Sequence, residues 1–154
     1  AKVSSKRKSE RRHNGFKRCN QGCPCCWHSA PPDKKTTIHR CNRTGKQWKI
    51  AAPIDCTTSN VIYKLGCKKC KDFVYIGETK RQLCNRISDH IGYIRQKKEN
   101  QPIGAHFNLP GHTLADLVVE GIEPVRPKGN DALRKLSESY QKKERKETKH
   151  HHQS

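Results

Sequence analysis

Methionine is absent from this chain, and aromatic residues number only nine: two Trp, four Tyr and three Phe. Hydrophobic residues fill 31% of the 154 positions, so apolar contact alone builds a modest core and another source of cohesion is expected. No apolar run approaches the roughly 18 residues that a spanning helix needs, and no lipidation signal is present, which argues against a membrane partner. No secretory leader is expected either, because Ala1 to Arg18 is charged and lacks an apolar stretch. There is no internal repeat. Acidic residues are scarce, 14 against 33 Lys and Arg, for a formal net charge of +19. Such an excess repels itself unless a polyanion shares the surface, so nucleic acid is the expected partner and a purely structural adaptor role is disfavoured.

What the chain does have is cysteine and histidine, nine of each. The odd cysteine count and the Cys-x-x-Cys pairs read as metal ligation, zinc above all, in a reducing compartment. Composition divides the chain into four stretches. Residues 1–18 carry eight Lys/Arg and one Glu and read as a disordered basic arm. Residues 19–58, rich in Cys, His, Pro and Gly, read as a zinc-binding linker whose order depends on metal. Residues 59–147 show normal element patterning, and residues 148–154 form a tail.

Within the third stretch, Asn60–Leu65 is apolar and β-branched, which predicts a strand. Gly66–Asp72 reads as a turn holding two Cys, and Phe73–Gly77 as the second strand of a hairpin. Leu83, Ile87, Ile91 and Ile94 recur at helical spacing between Lys80 and Gln96. A third strand is expected around Leu117–Ile122. Asn130 is an acceptable N-cap for a last helix with Leu133, Leu136 and Tyr140 on one face. The expected fold is α/β (α+β): a small antiparallel three-stranded sheet flanked by helices, with a zinc-bound linker before it.

Val61-Ile62-Tyr63, followed by Tyr75-Ile76-Gly77, resembles the paired signature of the GIY-YIG nucleases, with Val61 where the name-giving Gly stands. The helix that follows, with Arg86 and His90, is similar to that family's next motif. Taken one at a time, Tyr63 and Tyr75 read as half-buried strand aromatics, His90 as a structural histidine and Glu138 as solvated helix surface. Their joint order carries the resemblance. Arg86 and His90 lie four apart and share a helix face, offset from the apolar stripe. The planar guanidinium of Arg86 suits a phosphate clamp.

The resemblance implies a divalent-metal-dependent DNA endonuclease. Tyr63 would serve as general base for water, assisted by His90, while Tyr75 and Arg86 orient and stabilise the phosphate. Glu138 would anchor Mg²⁺ or Mn²⁺, with water and phosphate filling the remaining coordination. Family products keep a 3′-hydroxyl that a reverse transcriptase can extend. The family also often places an Asn after the metal-binding helix, and here the chain runs instead into Lys142–Lys149 without one. That departure favours a rival reading, a zinc-dependent nucleic-acid-binding module with weakened catalysis.

Cys67 and Cys70 lie in the loop between the two tyrosine strands, and His106 and His112 flank the Pro110-Gly111 turn. Two Cys and two His complete a tetrahedral zinc site. With its cysteines between the two motifs and the phrase HFNLPGH, this arrangement resembles the Penelope-like retroelement branch of the family. That resemblance spans roughly Cys19 to Tyr140. It implies nicking of target DNA to prime reverse transcription, in the nucleus, with element RNA and a reverse transcriptase domain not found in this chain as further partners. Cys19, Cys23 and Cys26 resemble the branch's linker cysteines, with Cys56 as a fourth ligand of a second zinc; Cys25, His28, His39 and Cys41 compete for that role. Cys84 is expected to be a buried free thiol beside the apolar stripe. The basic arm, Lys68-Lys69-Lys71, Lys80-Arg81 and the basic C-terminal end are expected to contact phosphates, which yields affinity without sequence choice. Trp27 and Trp48 either stack on bases or anchor the metal-bound fold, and anchoring is the expectation.

Overall fold

The computed structural model describes residues 14–31, 34–40, 45, 47–127 and 129–130. The last helix expected after Asn130, and with it Glu138, lies outside the described residues, as does Cys41. The chain is mixed α/β. In order it forms β1 (Gly15–Phe16), a 3-10 turn (Cys26–His28), β2 (Ile38–Arg40), β3 (Gln47–Lys49), β4 (Pro53–Ile54), β5 (Val61–Cys67), β6 (Asp72–Thr79), α1 (Leu83–Arg95), α2 (Pro102–His106) and β7 (Leu117–Pro124).

The main sheet has the order β6-β5-β7, antiparallel throughout. β5 takes the centre because its residues suit burial on both neighbours: Val61, Tyr63, Leu65 and Cys67 alternate onto one face and are buried. Against that face packs α1, whose buried side chains are Leu83, Ile87, His90, Ile91 and Ile94. His90 is therefore part of the core stripe and not offset from it. Positions 83, 87, 90 and 94 fall on one face of a 3.6-residue period, so an imidazole here must be buried along with its neighbours. Burying each large aliphatic side chain of that stripe contributes roughly 2 kcal/mol.

Gln82, at the N-cap position of α1, makes no side-chain cap bond. Its first free amides are met instead by chain from the Cys-rich segment: Leu83 N–H donates to Thr58 O at 2.9 Å and Cys84 N–H to Cys56 O at 2.8 Å. At the other end, the Asn108 amide donates to Ile94 O at 3.0 Å and to Gly104 O at 2.7 Å, tying the ends of α1 and α2 together.

Composition assigned Gly15 and Phe16 to the basic arm, yet they form β1, paired in parallel with β4. Phe16 is buried because it closes over β7: a Cβ on Gly121 would meet Ile54 and Phe16 carbons at 2.6 and 2.9 Å. One cluster of buried residues runs from Phe16, Cys26, Ile50, Ile54 and Cys56 through Tyr63 and Leu65 to Ile87 and Val119. The Cys-rich segment thus shares its core with the sheet. Cys84 is only half-buried, its thiol directed at Gln82 and Asn85 oxygens. Among the described residues, no helix is long and apolar enough to cross a membrane.

Candidate functional site

Tyr63 stands at the middle of the central strand, and both of its register partners are glycines, Gly77 on β6 and Gly121 on β7. The missing side chain of Gly77 leaves room for its ring, which is fully buried. Its phenol oxygen lies 2.8 Å from His90 Nε2 and 3.2 Å from Arg86 Nε. Arginine can only donate, so the phenol accepts from Arg86 and donates its own proton to Nε2. His90 then carries its proton on Nδ1, an atom with no hydrogen-bond partner among the described residues.

Tyr75 sits two residues along β6 from Gly77 on the same face. Its ring centroid is 6.2 Å from that of Tyr63 and 5.3 Å from the His90 ring. The two tyrosines, the arginine and the histidine expected from sequence do converge. Burial, and then the neighbouring Tyr75, pushes the Tyr63 phenol above its usual range. Burial also pulls His90 down to about 4, with the Arg86 charge acting in the same direction. At neutral pH the cluster is therefore a protonated phenol donating to a neutral imidazole beside a fixed cation. Asp89 holds that cation's outer side, 3.5 Å from Arg86 Nη1, and also pairs with Arg81.

Sequence reading missed one member. Tyr93 follows His90 by three residues on α1, its ring edge-on to the imidazole at 5.9 Å, and after Tyr63 it helps hold the Arg86 guanidinium above its usual range. The signal was available, since 86, 90 and 93 follow the same helical spacing that paired Arg86 with His90.

Two groups of thiols and imidazoles lie elsewhere, and each could hold a metal ion such as zinc. In the first, Cys19, Cys23, Cys26 and Cys56 converge, with Sγ–Sγ separations of 3.4 to 3.7 Å. A tetrahedron with Zn–S bonds of about 2.3 Å has edges of about 3.8 Å, so the four sulfurs fit one ion. Hydrogen bonds from Cys19 and Cys23 outweigh burial and bring the Cys26 thiol down to about 6. Cys23 is pushed up, chiefly by burial, and Cys56 also, chiefly by its bond with Cys25. A bound cation is what would let all four ionise together.

The rival ligands go elsewhere. Cys25 adjoins Cys56 but stands outside the four-sulfur group, buried with its sulfur 3.7 Å from Ser29 Oγ. His28 donates from Nδ1 to Leu117 O at 3.2 Å. His39 is buried apart from the quartet, where burial and then the Lys64 charge hold it near 4.

The second group is Cys67, Cys70, His106 and His112. Cys67 ends β5, and the amide of Lys71 donates back to its carbonyl at 2.9 Å, which curls Cys70 over it. Gly111, at φ +78, turns the chain so that His112 returns to His106. Cys70 Sγ lies 3.4 Å from His112 Nε2 and 3.7 Å from His106 Nε2, against an edge of about 3.6 Å for mixed sulfur and nitrogen ligands. His112 Nδ1 donates to Pro110 O at 3.2 Å, which leaves Nε2 free as the ligand atom.

No family model matches the chain, and no curated protein or solved structure matches it either.

Proposed function

We propose that the chain is a metal-dependent DNA endonuclease of the GIY-YIG type, from the Penelope-like retroelement branch, and that its sheet and first helix are that family's fold. The observation that carries this reading is Tyr63, whose phenol is held between His90 Nε2 at 2.8 Å and Arg86 Nε at 3.2 Å beside Tyr75. Hydrolysis of a phosphodiester needs a proton path from water, cations on the phosphoryl oxygens and a fixed approach. The phenol–imidazole pair supplies the path, and Arg86 supplies a cation that stays charged. Tyr75 and Tyr93 pack edge-on against the imidazole. Glu138 would hold Mg²⁺ or Mn²⁺, which neutralises charge on the scissile phosphate. Nicking that leaves a 3′-hydroxyl would prime reverse transcription in the nucleus, with element RNA and a reverse transcriptase as partners.

A second reading, a zinc-dependent nucleic-acid-binding module with weakened catalysis, is favoured by one observation: the Tyr63 side chain is fully buried. Nicking of supercoiled plasmid in Mg²⁺ separates the two. The nuclease relaxes plasmid, and Arg86→Ala and Glu138→Ala abolish relaxation while DNA binding persists. A wild-type protein that binds DNA without nicking it refutes the enzyme; nicking that survives both substitutions refutes the site.

A further inference from the structure

Trp27 is 76% exposed, the most exposed large hydrophobic side chain among the described residues. The anchoring role expected of it is therefore not the one it plays. Water ordinarily drives an indole inward, so an exposed one on a mobile loop would fold back onto the surface. Trp27 is prevented from doing so by both of its neighbours. On one side, Cys26 is buried and its sulfur is committed to the cysteine quartet. On the other, His28 is pinned through Nδ1 to Leu117 O, at the start of β7. The single-turn 3-10 helix between them holds the indole outward on a rigid base.

That base lies where positive charge collects. Lys68 and Arg95, both exposed, are within electrostatic reach of His28. Lys68 is tied to the same corner, its amide donating to Asp116 O at 2.9 Å, one residue before Leu117. Lys69 extends the basic edge and bonds across to Gly111 O. An outward aromatic face on a basic corner matches a nucleotide strand, with a flat base to stack and phosphates for the neighbouring cations. A protein partner would be met by a wider apolar patch, whereas the other exposed hydrophobics, Ile38 and Leu109, belong to separate elements.

We propose that Trp27, projecting from the corner of the fold that carries Lys68, is a stacking platform for an unpaired nucleobase. This rests on the reading of the chain as a nucleic-acid enzyme and adds to it a site for single-stranded substrate away from the Tyr63 cluster. The test uses the zinc-loaded protein and a single-stranded oligodeoxythymidylate of about ten nucleotides, with a fully paired duplex of equal length as comparison. Binding quenches tryptophan emission in the wild type. Trp27→Ala removes that quench and weakens single-strand affinity about 5- to 150-fold, the range for one stacked base, with little change for the duplex. Trp27→Tyr restores most of the affinity, and unchanged zinc content shows that the turn is still formed. Equal single-strand affinity in Trp27→Ala overturns the platform. Failure of the wild type to bind either DNA overturns the platform and the nuclease reading together.

Discussion

Replacing Gly77 by Ala tests the packing around Tyr63 directly. A Cβ there would lie 2.5 Å from Tyr75 Cε1, 2.7 Å from Tyr63 Oη and 2.8 Å from Tyr63 Cζ. Relief requires the phenol to shift by about 0.7 Å or more, since ordinary contacts begin near 3.4 Å. The ring is fully buried, so it cannot swing into solvent, and its oxygen is held by bonds of 2.8 and 3.2 Å. Overpacking costs about 1–3 kcal/mol, and a stretched phenol bond adds about 1 kcal/mol. The smaller entropy of the unfolded alanine chain returns roughly 0.5–1 kcal/mol, so the net loss is about 1–3.5 kcal/mol. Urea unfolding of the zinc-loaded protein measures it. Nicking should fall about 100-fold, because a displacement of this size misaligns the reacting groups. Gly92→Ala provides the contrast: its Cβ meets nothing within 4 Å on α1, so helix propensity should stabilise it by about 0.5–1 kcal/mol. If Gly77→Ala matches the wild type in both stability and nicking, the packing reasoning is wrong.

Tyr63→Phe keeps the ring and removes the acceptor for Arg86 and the donor to His90; it should cost about 1–2 kcal/mol by urea unfolding and abolish nicking, and retained nicking would end the proton-path argument. Elemental analysis should find both cysteine-containing groups loaded, with Cys26→Ser losing the ion of one and Cys70→Ser that of the other; a single ion that survives either change would refute separate sites. Acid should destabilise the fold through His39 and His90, which burial holds near 4. Their folded values lie below the unfolded value, so the stabilisation is full above about pH 6.5 and drains away as pH falls towards 4, by up to about 3 kcal/mol per imidazole. His90→Gln should flatten the urea-measured slope of stability between pH 7 and 5, and an unchanged slope would show that His90 titrates as it does in the unfolded chain.

Much of the sheet and first helix was legible because local spacing carries the information. Alternation in Val61–Cys67 and the 3.6-residue recurrence of Leu83, Ile87 and Ile94 each specify one buried face. The metal groups were legible for a different reason: Cys-x-x-Cys and the paired His have few other uses at that spacing. The choice among the competing N-terminal ligands was harder, because coordination imposes distances and not periodicity. Only the folded path, which brings Cys56 back to Cys19, Cys23 and Cys26, separates those four from Cys25 and His28.

The sequence by itself determined the α/β class, the basic character and the residue types able to bind metal or move a proton. It did so because charge, hydropathy and spacing are properties of neighbours along the chain. Only the tertiary structure decided that Phe16 joins the core, that His90 is buried and bonded to Tyr63, that Tyr93 reaches the same cluster and that Trp27 faces outward. Each of those outcomes depends on contacts between distant parts of the chain, and such contacts are set by how the packed elements meet.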